Sequence, residues 1–142
     1  MGISKASAHW DGGIKTGKGT MTPAHGSAIE FSLGSRFEGA PASNPEELVG
    51  AALAGCFSMA LTLSLEKAGL TPESIDTKAE VSLDKDGEGF SITKINLVTE
   101  AKVTGADDAK FQEIAQATKK ACPVSKALAG TTISLDAKLV GG

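Results

Sequence analysis

Residues 44–65 read NPEELVGAALAGCFSMALTLSL, and the fold turns on how this stretch is taken. Asn44 is a good N-cap, Pro45 suits the first helical position, and Glu47 stands three residues after the cap as in a capping box. The spacing predicts a helix from Pro45 to about Ala68, with Gly69 as its stop. From Leu48 to Leu65 it carries no charge, and as a helix that part would run ~27 Å, close to the hydrocarbon thickness of a bilayer. Two glycines, two serines and a threonine interrupt it, Glu46, Glu47 and Glu66 flank it, and strand-like sequence lies on both sides. A buried central helix is therefore expected rather than a membrane span. Being apolar nearly all round, it requires other structure to surround it.

Before this helix the chain reads as a β meander: Ile3–Trp10, a turn at Asp11-Gly12-Gly13, Ile14–Met21, then Ser27–Leu33. Residues 34–43 form a loop. After the helix, Ile75–Leu83 alternates as a strand, residues 85–89 turn, and Phe90–Val103 returns. The spacing of Ile92, Ile95, Leu97 and Val98 is irregular enough to hold a bulge. Asp107 and Asp108 open a second helix reaching Ala121. There Cys122-Pro123 either kinks it or begins a short helix to Leu128. Thr131–Val140 closes the chain as a strand. The sum is a β-rich α+β fold in one domain, residues 1–142.

Composition narrows the function classes. With 142 residues, 41% hydrophobic and 22% charged, the chain can bury a real core. A net charge of −3 and a pI near 5.4 give no electrostatic drive toward phosphate backbones, so nucleic acid is not an expected partner. No apolar signal segment follows Met1, which points to a cytoplasmic protein whose thiols are either inert or redox-active. There is no CxxC, GxGxxG, P-loop or HExxH pattern. Gly12-Gly13 and Gly17-Lys18-Gly19 read as turn glycines. His9 and His25 are too few for a metal site with these cysteines.

Chemistry then rests on three rare residues. Cys56 and Cys122 are the two cysteines, and Arg36 is the one arginine beside 13 lysines. Cys56 lies three turns into its helix, beyond the reach of the helix dipole, and burial would raise its pKa. Taken alone it is core filler, or a nucleophile only if a cation is delivered from elsewhere. Cys122, ahead of Pro123 at a helix start, is by local physics the more acidic thiol. Arg36 is a candidate cation, since a guanidinium keeps its charge and presents a planar fork. Glu46 or Glu47, about ten residues on, is placed to anchor it.

Three motifs join these residues. RFEG at 36–39, NPEELVGAALAGCFSMAL at 44–61 and ACPVSKAL at 121–128 resemble the OsmC/Ohr family of thiol-dependent hydroperoxide reductases. AHWDGGIKTGKGT at 8–20 and SIDTKAEVSLDK at 74–85 are similar to its osmotically inducible branch. The resemblance implies that Cys56 is the peroxidatic cysteine, Cys122 the resolving one, Arg36 the catalytic arginine and Glu46 the glutamate that holds it. This reverses the order of the thiols that local physics favours. It also implies an OsmC-like fold, an intertwined homodimer with the central helix buried between subunits, an organic hydroperoxide substrate, a thiol or dithiol reductant, and no metal or organic cofactor. Phe37 and Phe57 suit an alkyl substituent or, equally, the core. A general thiol–disulfide oxidoreductase and a non-catalytic dimeric binding protein with inert cysteines remain the other readings.

Overall fold

The computed structural model describes residues 2–141. The chain divides into two compact units, one ending at Glu47 and the other beginning at Leu48.

In the first unit β1 (Ala6–Asp11), β2 (Lys18–Pro23) and β3 (Ile29–Phe31) form an antiparallel sheet in that order. All three strands are shorter than the sequence pattern predicts. Ile14 to Thr16 belong to the turn. Gly19 is no turn glycine either. It sits within β2, where a Cβ would come within 2.7 Å of both the Trp10 and Phe31 rings. Only glycine lets those rings, 5.5 Å apart, close over the strand.

The expected loop at 34–43 also holds a short helix, α1 (Leu33–Phe37). Ser32 and Ser35 cap it reciprocally, each side chain accepting from the other's backbone N–H. The signal is a Ser-x-x-Ser variant of the capping box, with serine where glutamate is usual.

The second unit is built on β4 (Thr71–Asp86), β5 (Gly89–Thr104) and β6 (Thr132–Leu139). β4 and β5 form a long hairpin, and β6 lies parallel to β5 on its other side. The hairpin turn is tighter than expected, only Gly87 and Glu88, with Gly87 at φ +62°. The expected bulge is present: Ser82 pairs with Lys94 and Leu83 with Ile92, leaving Thr93 extra on β5. Beyond it, Ile95, Leu97, Thr99, Ala101 and Val103 alternate inward.

Helix α2 (Pro45–Lys67) spans nearly the predicted range. The Asn44 side chain accepts from the Glu47 N–H at 2.9 Å, and Gly69 ends the helix at φ +81°. The capping box is half formed, because the Glu47 carboxylate instead accepts from Ser43 Oγ. Leu53, Phe57, Leu61 and Leu65, four apart, make one buried stripe that shares a core with β5 and with α3 (Asp108–Ala121). Burying each contributes about 1.5–3 kcal/mol.

Within one chain, burial on every face does not occur. The helix is long and apolar enough to cross a membrane, yet only 28% of its most apolar stretch is buried. Met59 and Leu63 lie on its outer side, 78% and 53% exposed.

Candidate active site

Two pairs of predicted residues come together, one in each unit. In the first, α1 carries Arg36 at its end and α2 carries Glu46 in its first turn. Arg36 Nε and Nη2 donate to Glu46 Oε1 at 2.9 and 2.6 Å. The Glu46 side chain is 8% exposed and that of Arg36 37%, so a buried carboxylate grips a half-exposed guanidinium. Both donors converge on one oxygen, and the Nη1 edge makes no further bond among the described residues. The Arg36 Cζ also lies 5.5 Å from the Phe37 ring centroid. Glu47, the alternative anchor, is exposed and engaged with Ser43.

Motif reading missed the support behind this pair. Ser35 is buried and donates from Oγ to the Ser43 carbonyl at 2.6 Å, while Asn44 Nδ2 donates to the Ser35 carbonyl. These bonds tie α1 to the start of α2, and so hold the arginine beside its carboxylate.

In the second unit, α2 carries Cys56, and the break after α3 carries Cys122. Pro123 resolves the open choice at this break. It starts a new short helix, α4 (Pro123–Ala127), with Cys122 as the last cap of α3 and the N-cap of α4. The rotation of α2 is fixed by its leucine and phenylalanine stripe and by a hydroxyl chain. Ser58 Oγ meets Thr77 Oγ1 at 2.7 Å, and Thr77 Oγ1 meets buried Thr99 Oγ1 at 2.8 Å. With Ser58 turned to the sheet, Cys56 faces the Cys122 break.

The two thiols are free and within hydrogen-bonding reach of each other. Their surroundings differ. Cys122 is 1% exposed, whereas Cys56 is half-buried. Burial raises the Cys122 thiol, but it is outweighed by Ser125 (Oγ at 3.2 Å, backbone N–H at 3.4 Å) and by the Cys56 thiol and Val124 amide. Cys122 therefore lies below the ordinary thiol value. Cys56 lies above it, raised first by burial and then by the Cys122 sulfur, against the Val124 amide. Ser125 is the residue that sequence reading overlooked. Its place three after the N-cap, where a side chain and an N–H both meet the cap, was the available signal.

The remaining candidates divide. Phe57 is fully buried in the core, whereas Phe37 is 42% exposed. His9 is exposed and lies 2.9 Å from Asp11. Among the described residues no three His, Cys, Asp or Glu side chains converge on a metal position.

A half-exposed thiol beside a buried, acidified one is an arrangement for thiol redox chemistry. The family model for OsmC-like proteins matches residues 38–137, and the chain belongs to that family. It is 52% identical to Peroxiredoxin OsmC of Escherichia coli over 137 residues, 95% of each chain. It is 36% identical to the organic hydroperoxide resistance protein OhrB of Bacillus subtilis over 104 residues, 72% of this chain and 71% of that one. Among solved structures, the crystal structure of the Bacillus subtilis OhrB superposes with TM-score 0.72 at 27% identity, covering 96% of this chain and 98% of that one. An OsmC-like protein of unknown function from Vibrio cholerae gives TM-score 0.78 at 19% identity, covering 96% and 99%. That likeness establishes the OsmC-like fold.

Proposed function

We propose that the protein is a thiol-dependent peroxidase that reduces organic hydroperoxides to alcohols, and hydrogen peroxide more weakly. The Cys56 thiolate attacks the distal peroxide oxygen, the O–O bond breaks, and the alkoxide leaves and takes up from solvent the proton that the thiol released, giving the alcohol. Cys56 is then a sulfenic acid. The Cys122 thiolate attacks that sulfur, hydroxide leaves and is protonated to water, and a Cys56–Cys122 disulfide remains. An external thiol or dithiol restores both cysteines. Arg36, held by Glu46, supplies the cation that stabilises the Cys56 thiolate and the charge developing on oxygen.

The observation that carries this reading is the meeting of two free sulfurs 66 residues apart in sequence, on elements that pack in one core. The two relatives, a peroxiredoxin and an organic hydroperoxide resistance protein, support the substrate class. The role order of the thiols follows the resemblance, and the greater exposure of Cys56 supports it, because peroxide must reach the attacking sulfur.

The assembly we propose is a cytoplasmic homodimer of one-domain chains. Its support is the outer side of α2, where Met59 and Leu63 expose apolar surface that a second copy would cover.

The test is peroxide consumption by the purified protein, with cumene hydroperoxide beside hydrogen peroxide and a dithiol beside a monothiol. Faster turnover of cumene hydroperoxide with the dithiol is expected. Reduction of insulin disulfides with no peroxide consumption would instead make it a general oxidoreductase.

A further inference from the structure

The reaction above leaves open which sulfur of the disulfide the reductant attacks, and the two sulfurs are not equivalent. Cys122 is 1% exposed and its Sγ is held by one residue through two groups, the Ser125 Oγ at 3.2 Å and the Ser125 N–H at 3.4 Å. Ser125 is itself buried. A cavity of about 450 Å³ opens beside Ser125, lined also by Lys119, Lys120 and Lys126, but neither cysteine lines it. Cys56 is the half-exposed partner.

Thiolate attack on a disulfide is governed by access to the sulfur and by how well the departing sulfur carries charge. It runs along the S–S axis, with the leaving sulfur on the far side. An attacker at Cys56 therefore expels Cys122 inward, onto the Ser125 N–H and the Ser125 hydroxyl, which accepts from the thiol and turns to donate to the thiolate. An attacker at Cys122 would have to cross the core and would expel Cys56, which has only the Val124 amide to receive the charge.

We propose, resting on the peroxidase reading above, that the Cys56–Cys122 disulfide is opened at Cys56, and that Ser125 is the positioning residue that receives Cys122 as the leaving thiolate. The external thiolate forms a bond to Cys56 Sγ, the S–S bond breaks, and its electron pair stays on Cys122 Sγ. A second thiolate then attacks the external sulfur of the mixed disulfide. It forms the oxidised reductant and releases Cys56 as a thiolate. Two reductant sulfurs lose two electrons and the two protein sulfurs gain them. The lowered Cys122 thiol and the raised Cys56 thiol agree with this direction.

The chain is oxidised with one equivalent of cumene hydroperoxide, and the Cys56–Cys122 cross-linked peptide is verified by mass spectrometry. Limiting 2-mercaptoethanol is then added, followed by a rapid N-ethylmaleimide quench, digestion and mapping. The mercaptoethanol adduct is expected on Cys56 and the maleimide on Cys122, with about a tenfold excess over the reverse pattern. Equal labelling, or the adduct on Cys122, overturns the proposal while leaving the peroxidase reading intact. Failure to form the cross-linked peptide overturns both.

Ser125→Ala is expected to lower kcat/KM for the thiol about three- to tenfold, with kcat/KM for peroxide changing less than about twofold. In a Cys56→Ser background, it should move the ultraviolet absorbance of the Cys122 thiolate to higher pH. Ser125→Thr, which keeps both donors, should restore each value. Equal losses in both kcat/KM values, with an unmoved thiolate absorbance, would reduce Ser125 to a packing role and contradict the proposal.

Discussion

The two thiols lie within hydrogen-bonding reach of each other, yet the elements beneath them treat sulfur in opposite ways. Cys56 sits inside a long helix whose own amides are committed to helical bonds, so its surroundings offer mainly burial, and its thiol is pushed up. Cys122 sits at a break between helices, where amides and a hydroxyl are free to meet it, and its thiol is pulled down although it is the more buried. Burial alone would order them the other way. The lesson is that hydrogen bonds, more than burial, order the acidity of these thiols; on the proposed mechanism, the half-exposed sulfur draws on an outside cation to attack.

Removing sulfur from the exposed side breaks this comparison most severely. Cys56→Ser is expected to lower peroxide consumption at least about 10³-fold, since nothing else in the scheme attacks oxygen. Residual activity near the parent level in a coupled peroxide assay would assign the attack elsewhere. Cys122→Ser should spare the first turnover, seen in rapid-quench measurements, and slow steady turnover with a dithiol about a hundredfold. Sustained turnover would remove Cys122 from the resolving role.

Arg36→Met tests the outside cation. Because burial raises the Cys56 thiol, its thiolate population grows as the pH climbs. Without the cation that growth should come at higher pH still. The rate at neutral pH is expected to fall about ten- to a hundredfold, and the inflection of the pH–rate profile to move upward. A fall in rate with no movement of the inflection would mean that Arg36 acts on the peroxide alone.

The smallest catalytic effect is expected on the outer side of α2. Met59→Asp places a charge where a second copy would pack, and should convert a dimer to monomers in sedimentation equilibrium. An unchanged dimer would locate the interface elsewhere.

Much of this site was legible in the sequence, in a definable way. The start of α2 followed from Asn44, Pro45 and Glu47 because capping is local chemistry. A lone arginine about ten residues before Glu46 and Glu47 pointed to an ion pair, and the resemblance chose Glu46, which the structure pairs with Arg36. Local physics also ranked the acidity of the two thiols as the structure does, although the resemblance assigns the attack to the less acidic one. Contacts from distant or unexpected partners were not legible. Ser125 looked like any helical serine, Ser35 lay in an expected loop, and Gly19 looked like a turn glycine until two rings closed over it. For Phe57 the sequence left pocket and core equally open, and the core holds it because its position beside Cys56 puts it about 100° round the helix, on the core stripe. The half-exposed α2 was equally hidden, since a uniformly apolar helix does not reveal which side its own chain covers.

The central claim is that Cys56 attacks and Cys122 resolves, against their acidities. It is tested most directly by treating Cys56→Ser and Cys122→Ser proteins with one equivalent of cumene hydroperoxide in the presence of dimedone, and mapping the adduct by mass spectrometry. The account predicts dimedone on Cys56 in the Cys122→Ser protein and an unlabelled Cys122 in the other. Dimedone on Cys122 in the Cys56→Ser protein, with Cys56 unlabelled in its counterpart, would contradict it.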